Sequence, residues 1–149
     1  MAYTTINKST DYFNTKLYTG NGGSNRGITG VGFQPDWLWL KTRSKTNSHI
    51  LIDAVRGANR LRSNSTAAQA SVSGEFISFD TDGFTVTENA SNEMNNNSTT
   101  YASWNWKAGG GQGSSNTDGS INTTYTSVNT TAGFSISQYE GTGSNATFG

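Results

Sequence analysis

His49 is the only histidine in the chain and there is no cysteine, so nucleophilic chemistry has few places to start. A serine triad would need His49 as its base, with Asp53 or another acid orienting it. Both lie on one face of a short strand candidate, residues 49–53 (HILID), with Leu51 between them. That setting suits a hydrogen-bonded structural histidine, and a triad motif without its context is weak evidence. Asp80 and Asp82 form a close carboxylate pair. With Glu75 they are the source of a glycosidase acid and base, which must face each other about 5 to 9.5 Å apart across a cleft. Flanking a tight turn, they read better as turn formers, Asp82 before Gly83 above all. The DTDG stretch offers oxygen ligands to calcium, but the distal bidentate glutamate of an EF-hand loop is missing. The expectation is a chain that is not an enzyme, with no catalytic residue, no cofactor and no resident metal. Asp80 and Asp82 are the weak candidates should a cation bind.

The aromatic residues are the second source of chemistry. In residues 36–43 (DWLWLKTR), Trp37 and Trp39 share one strand face while Leu38 and Leu40 share the other. In residues 100–107 (TYASWNWK), Ala102, Trp104 and Trp106 face one way and Tyr101, Ser103 and Asn105 the other. A flat indole can stack on the C–H face of a pyranose ring, or fill the space between two sheets. Aliphatic side chains are scarce here, which favours core packing for the tryptophans. Tyr18, Tyr101 and Tyr139 lie in more polar surroundings and suit an exposed contact. The ligand-binding candidates are therefore Tyr18, Trp37, Trp39, Tyr101, Trp104 and Trp106.

Charge is balanced in total but segregated along the chain. Residues 26–62 hold Arg26, Lys41, Arg43, Lys45, Arg56, Arg60 and Arg62 against Asp36 and Asp53. Residues 63–106 hold Glu75, Asp80, Asp82, Glu88 and Glu93 and no base. Either the two segments neutralise each other within the fold, or a basic surface meets an acidic neighbour. The second reading makes Arg56, Arg60 and Arg62, with Tyr139, candidates for a subunit interface. A net charge of +0 and the lack of a basic-aromatic motif speak against nucleic acid. No segment has the makeup of a signal peptide, and none approaches the ~18 apolar residues of a membrane-spanning helix.

The elements that must position these groups are strands. Hydrophobic residues are 32% of the 149, whereas Ser, Thr, Asn and Gly make up about half. Apolar and polar residues alternate without a helical period. Strands are expected up to Tyr18, over residues 27–31, 36–43, 49–53, 76–80, 84–87 and 100–107. Both faces of residues 36–43 are apolar, which predicts a central strand covered on both sides. The N-terminal strand should pair with a late one. Residues 54–63 fit a helical turn or an irregular edge equally well. About seven short strands with turn signals predict an all-β chain, a β-sandwich or jelly roll.

The end of the chain echoes its beginning. Residues 13–22 (FNTKLYTGNG) match residues 134–143 (FSISQYEGTG) at Phe13/Phe134, Tyr18/Tyr139, Gly20/Gly141 and Gly22/Gly143. Residues 3–7 (YTTIN) are answered by residues 125–129 (YTSVN). Such self-similarity marks modular architecture. It predicts a sandwich module over 1–108, a Gly/Ser-rich linker over 109–120, and the first strands of a truncated second repeat over 121–149. Those strands need a partner, either the module itself or a neighbouring subunit.

Several longer words carry a family resemblance: MAYTTINKSTDYFNTKLYTGNG, GVGFQPDWLWLKTRS (30–44), LIDAVRGANRLRSNSTA (51–67), ISFDTDGFTV (77–86), TYASWNWKAG (100–109) and TTAGFSISQYEGTGSNATFG (130–149). Over essentially its whole length the chain resembles virion-associated proteins of tailed bacteriophages of marine bacteria. The resemblance implies a sandwich of the concanavalin-A or SPRY kind, lectin-like, displayed on a phage particle as a tail fibre, appendage or capsid-decoration subunit. It implies other virion proteins and further copies of itself as partners, with a host-surface glycan as a possible ligand. It carries over no catalytic residue.

Overall fold

The computed structural model describes residues 6–88 and 93–149. Eleven strands are found among them, with a three-residue 3-10 turn at Ser9–Asp11 and no α-helix. The strands are β1 (Phe13–Thr19), β2 (Arg26–Thr29), β3 (Trp37–Thr42), β4 (Ile50–Asp53), β5 (Gly57–Leu61), β6 (Ala70–Ser71), β7 (Phe76–Asp80), β8 (Gly83–Val86), β9 (Thr100–Trp106), β10 (Tyr125–Asn129) and β11 (Phe134–Gln138). Six form one antiparallel sheet in the order β1-β9-β3-β4-β5-β6, three form another in the order β2-β8-β7, and β10 and β11 make a separate hairpin.

The protein is all-β and sandwich-like. Ile28, Phe76, Phe84 and Val86 from the smaller sheet meet Leu38, Leu40, Ile50, Ile52 and Tyr101 from the larger, with Val72 and Met94 closing the core. Period-2 alternation selects these residues: on β3 the leucines point in and the tryptophans out. The first strand pairs with a late one, Phe13 lying opposite Trp106 and Thr19 opposite Thr100.

Two strands go beyond the pattern. Within residues 54–63 a turn over 54–56, closed by Asp53, leads into the strand β5 at Gly57–Leu61. The Asp53 carboxylate accepts the Arg56 backbone N–H at 2.8 Å, and Gly57 takes the positive φ of +66° that the turn needs. The two-residue β6 has no periodicity to read. The echoed segment at 3–7 lies mostly outside the described residues, as does the beginning of the polar stretch 90–97.

Polar residues also lie between the sheets. Ser103 and Asn105 are wholly buried. The Asn105 amide donates to the Asn14 carbonyl at 3.0 Å and to the Ser103 hydroxyl at 3.1 Å, tying β9 to β1. Tyr18 and Tyr101 stack at 4.8 Å between ring centres. The Tyr18 hydroxyl donates to the Met94 carbonyl at 2.7 Å, and the Tyr101 oxygen accepts the Asn96 N–H at 2.9 Å. Burial raises both phenols above their ordinary pKa, and Tyr101 adds to the shift at Tyr18, which Arg26 partly offsets. A phenol whose pKa is higher folded than unfolded holds its proton longer in the folded state. Stability should then be full below pH ~10 and drain away as pH rises beyond it. Alkaline unfolding followed by tyrosinate absorbance should show this decline, and Tyr101→Phe should make it shallower.

Candidate functional site

The cross-strand register builds the site. Trp37 lies opposite Trp106, and Trp39 opposite Trp104, across the β3–β9 pair. Since Trp37 and Trp39 are two apart on one strand, and Trp104 and Trp106 on the other, the four indoles form a square on one face. That face is the outer one. The expectation of tryptophans packed between the sheets is corrected, because the inward positions of β9 belong to Tyr101, Ser103 and Asn105, and those of β3 to Leu38 and Leu40. Each tryptophan is half-buried.

Ring contacts run across the square without a break. Phe13 to Trp106 is 4.8 Å between centres, Trp106 to Trp37 4.5 Å, Trp37 to Trp39 6.4 Å and Trp39 to Trp104 5.9 Å. Phe134 of β11 stacks over one corner, 6.0 Å from Trp37 and 6.4 Å from Trp106. The expected cover over β3 is thus real on the inner side and partial on the outer. Beside that corner, Trp39, Trp104 and Trp106 line an apolar hollow of about 130 Å³. The ~300–1,000 Å³ of an enclosing small-molecule pocket is larger, so this hollow suits one face of a ring. The apolar rim continues to Leu17 and Leu61, exposed by 56% and 39%. His49 accepts the Trp39 indole N–H on Nδ1 at 2.9 Å, which leaves the proton of a neutral ring on Nε2.

The tyrosine candidates divide. Tyr101 is fully buried and Tyr18 packs against the core, so the structure corrects their assignment as exposed contacts. Their polar sequence neighbours face the opposite side of the same strands. Tyr139 is exposed and stacks on Phe148, 4.4 Å away.

The arginine candidates also belong elsewhere. Arg56 Nε donates to Asp53 at 2.7 Å. Arg60 lies 2.8 Å from Glu93 and 3.5 Å from Glu75, and Arg62 grips both Glu93 oxygens at 2.8 and 3.0 Å. These basic groups pair with acids of their own chain, so the segregated charges meet inside one molecule. The acids weighed for catalysis each have other partners. Asp53 faces Arg56, not His49. Asp80 accepts from the Ser78 and Thr85 hydroxyls at 2.6 and 2.7 Å. Asp82 accepts from the backbone of Gly30 and Gly32 at 2.9 and 2.6 Å. Those two N–H groups, Gly32 first, hold its carboxyl below the usual range. Asp80 and Asp82 therefore act as separate loop ties, and their weak calcium candidacy gains no shared set of ligands. Among the described residues no group of three or more His, Cys, Asp or Glu is gathered to hold a metal, and no helix is long and apolar enough to cross a membrane.

Sequence reasoning missed four contributors. Phe13 and Leu17 flank the indoles from β1, and alternation along residues 13–17 could have shown it. Phe134 arrives from the hairpin, and its match with Phe13 was the available signal. Asp36, fully buried, accepts from the backbone N–H groups of Ala108, Gly110 and Gly111 at 2.7, 3.0 and 2.8 Å. It pins the start of the glycine-rich stretch that composition presents as a linker.

No curated protein and no solved structure matches the chain. A family model matches residues 8–149, so a single match runs through the sandwich, the glycine-rich stretch and the hairpin alike. On that match the chain belongs to the family of the domain of unknown function DUF7483.

Proposed function

We propose that this chain is a display module of a bacteriophage particle, and that it binds host-surface glycan on the open part of its tryptophan face. The observation that carries the reading is the square of four half-exposed indoles with its apolar hollow beside Trp39 and Trp104. Large aromatic side chains left open in one contiguous patch are costly for a free surface and typical of an interaction site. Indole faces suit the C–H side of a sugar ring, and the groups at the edge, Lys41, His49 and Thr15, supply hydrogen-bonding partners for hydroxyls. The hollow's size favours one or two sugar units held weakly, with affinity gained through many copies on one particle.

The virion setting, as fibre, appendage or decoration subunit acting through assembly rather than catalysis, rests on the resemblance of the long sequence words. The concanavalin-A or SPRY kinship rests on the same words.

Intrinsic tryptophan fluorescence, titrated with lipopolysaccharides and capsular polysaccharides of marine Gram-negative bacteria, tests the ligand. Saturable quenching is expected with at least one of them. Trp39→Ala combined with Trp104→Ala should weaken binding at least tenfold, or ~1.4 kcal/mol, while the Tyr18 and Tyr101 core stays folded. Silence across the panel would remove the glycan reading. Proteomics of purified particles tests the setting, and consistent absence of the chain would remove it.

A further inference from the structure

The four residues that the tail shares with the head are the four that seat β1. Phe13 packs on Trp106 at 4.8 Å, and Tyr18 stacks on Tyr101 at 4.8 Å. Gly20 lies against the 95–96 backbone so closely that a Cβ there would stand 2.1 Å from the Asn96 carbonyl oxygen, and its N–H donates to Thr99 at 2.7 Å. Gly22 adopts φ +66° and donates its N–H to Asn95 at 2.9 Å. Between them, these four contacts fix the register, the core insertion and the exit of β1 on β9.

In the tail Phe134 rests on Trp37 and Trp106 of its own chain, but the other three have no such work. Tyr139 is 47% exposed. A Cβ on Gly141 or Gly143 would meet nothing within 4 Å. Gly143 nevertheless takes φ +74°, close to that of Gly22. Nothing around Gly141 requires a glycine, yet a strand seated as β1 is seated requires one there. Among the described residues β11 is hydrogen-bonded only to β10, so its other edge is open in the way that sheet edges recruit strands.

We propose that residues 134–143 are a second docking strand of the β1 type, which seats on β9 of a second copy of this chain in place of that copy's β1. Phe134 then lies opposite Trp106, Gln138 opposite Ala102, and Tyr139 beside Phe84 in the inter-sheet core. Such an exchange replaces one set of contacts by an equivalent set, so its cost is low and its direction is head to tail. A head-to-tail contact can repeat from copy to copy, giving a ring where the rotation closes and an open chain of modules where it does not.

The absence of cysteine makes the register testable in the full chain. Gln138→Cys with Ala102→Cys, refolded at high protein concentration and then oxidised, should give disulfide-linked dimers and a ladder of larger species on a non-reducing gel. Leu17→Cys with Ala102→Cys should give an intramolecular bridge, which shows that Ala102→Cys folds. Adding Tyr139→Ala and Gly141→Val to the exchanging pair should cut intermolecular linkage at least tenfold. A yield no higher than that of the misregistered pair Ser144→Cys with Ala102→Cys overturns the proposal. A graft supplies the second arm: residues 13–22 replaced by FSISQYEGTG should leave a cooperatively folded chain. Failure of the graft to fold, where the ungrafted chain does, overturns it as well.

Discussion

Replacing Asp36 by alanine is expected to lower the stability of the fold by about 4 kcal/mol, which for a chain of this size lowers the melting temperature by roughly 8–16 °C. The side chain is completely buried and accepts three backbone N–H groups between 2.7 and 3.0 Å. Hydrogen bonds to a charged group are worth about 1.5–3 kcal/mol each, and buried donors left without an acceptor add a desolvation cost. The backbone of the same residue joins two further elements, its N–H donating to Trp106 and its carbonyl accepting from Ala54, both at 2.8 Å. Alanine keeps those backbone bonds, so the loss falls on the path from β9 into residues 108–111. Asp36→Asn should recover little, because an amide turns an N–H group toward other N–H groups. Denaturant melts give the magnitude, and limited proteolysis gives the location, with faster cleavage between residues 109 and 120. A melting temperature within a degree or two of the parent would refute the account.

Glu93→Ala should cost nearly as much, about 3–4 kcal/mol, for a different reason. Glu93 sits between Arg60 at 2.8 Å and Arg62 at 2.8 Å, and all three side chains are largely withdrawn from water. Removing one member of a buried ion pair leaves an uncompensated charge, a loss of about 3–5 kcal/mol. The partial exposure of Arg62 puts the expectation at the lower end. The Arg60 contact with Glu93 is a charge contact without an aligned N–H, so most of the directional bonding passes through Arg62. Removing both arginines with the glutamate, as Arg60→Met, Arg62→Leu and Glu93→Met, should restore most of what Glu93→Ala loses. Equal stability of Glu93→Ala and the parent in chemical denaturation would show that the cluster is solvated and weak.

Much of the sandwich was legible because period-2 alternation is a local property. It assigned Leu38 and Leu40 to one face and Trp37 and Trp39 to the other without any knowledge of the neighbours. Which face points inward is a property of the opposing sheet, and there the reading inverted. Scarce aliphatic residues argued for indoles in the core, yet Tyr101, Ser103 and Asn105 fill it, and the two smaller ones bond to distant backbone of β1, Asn105 to the Asn14 carbonyl at 3.0 Å and Ser103 to the Lys16 carbonyl at 3.4 Å. Those partners are dozens of residues away in sequence and leave no local trace. The arginines show the same limit: seven bases ahead of five acids announce a charge imbalance, but only the β5 register selects Arg60 and Arg62 as the ones that meet Glu93. Asp36 was hidden in plain view, since an aspartate ahead of a strand reads as a turn residue and its three donors lie more than seventy positions on.

The hairpin that rests one phenylalanine on a corner of the indole square makes that corner contested ground. Phe134 and any ligand reaching Trp37 and Trp106 compete for the same two ring faces. Competition of this kind is mutual: whatever draws β11 away strengthens the ligand by the factor with which the ligand loosens β11. On the proposed glycan reading, binding at that corner is therefore weaker while β11 rests there and stronger when another partner takes β11 up.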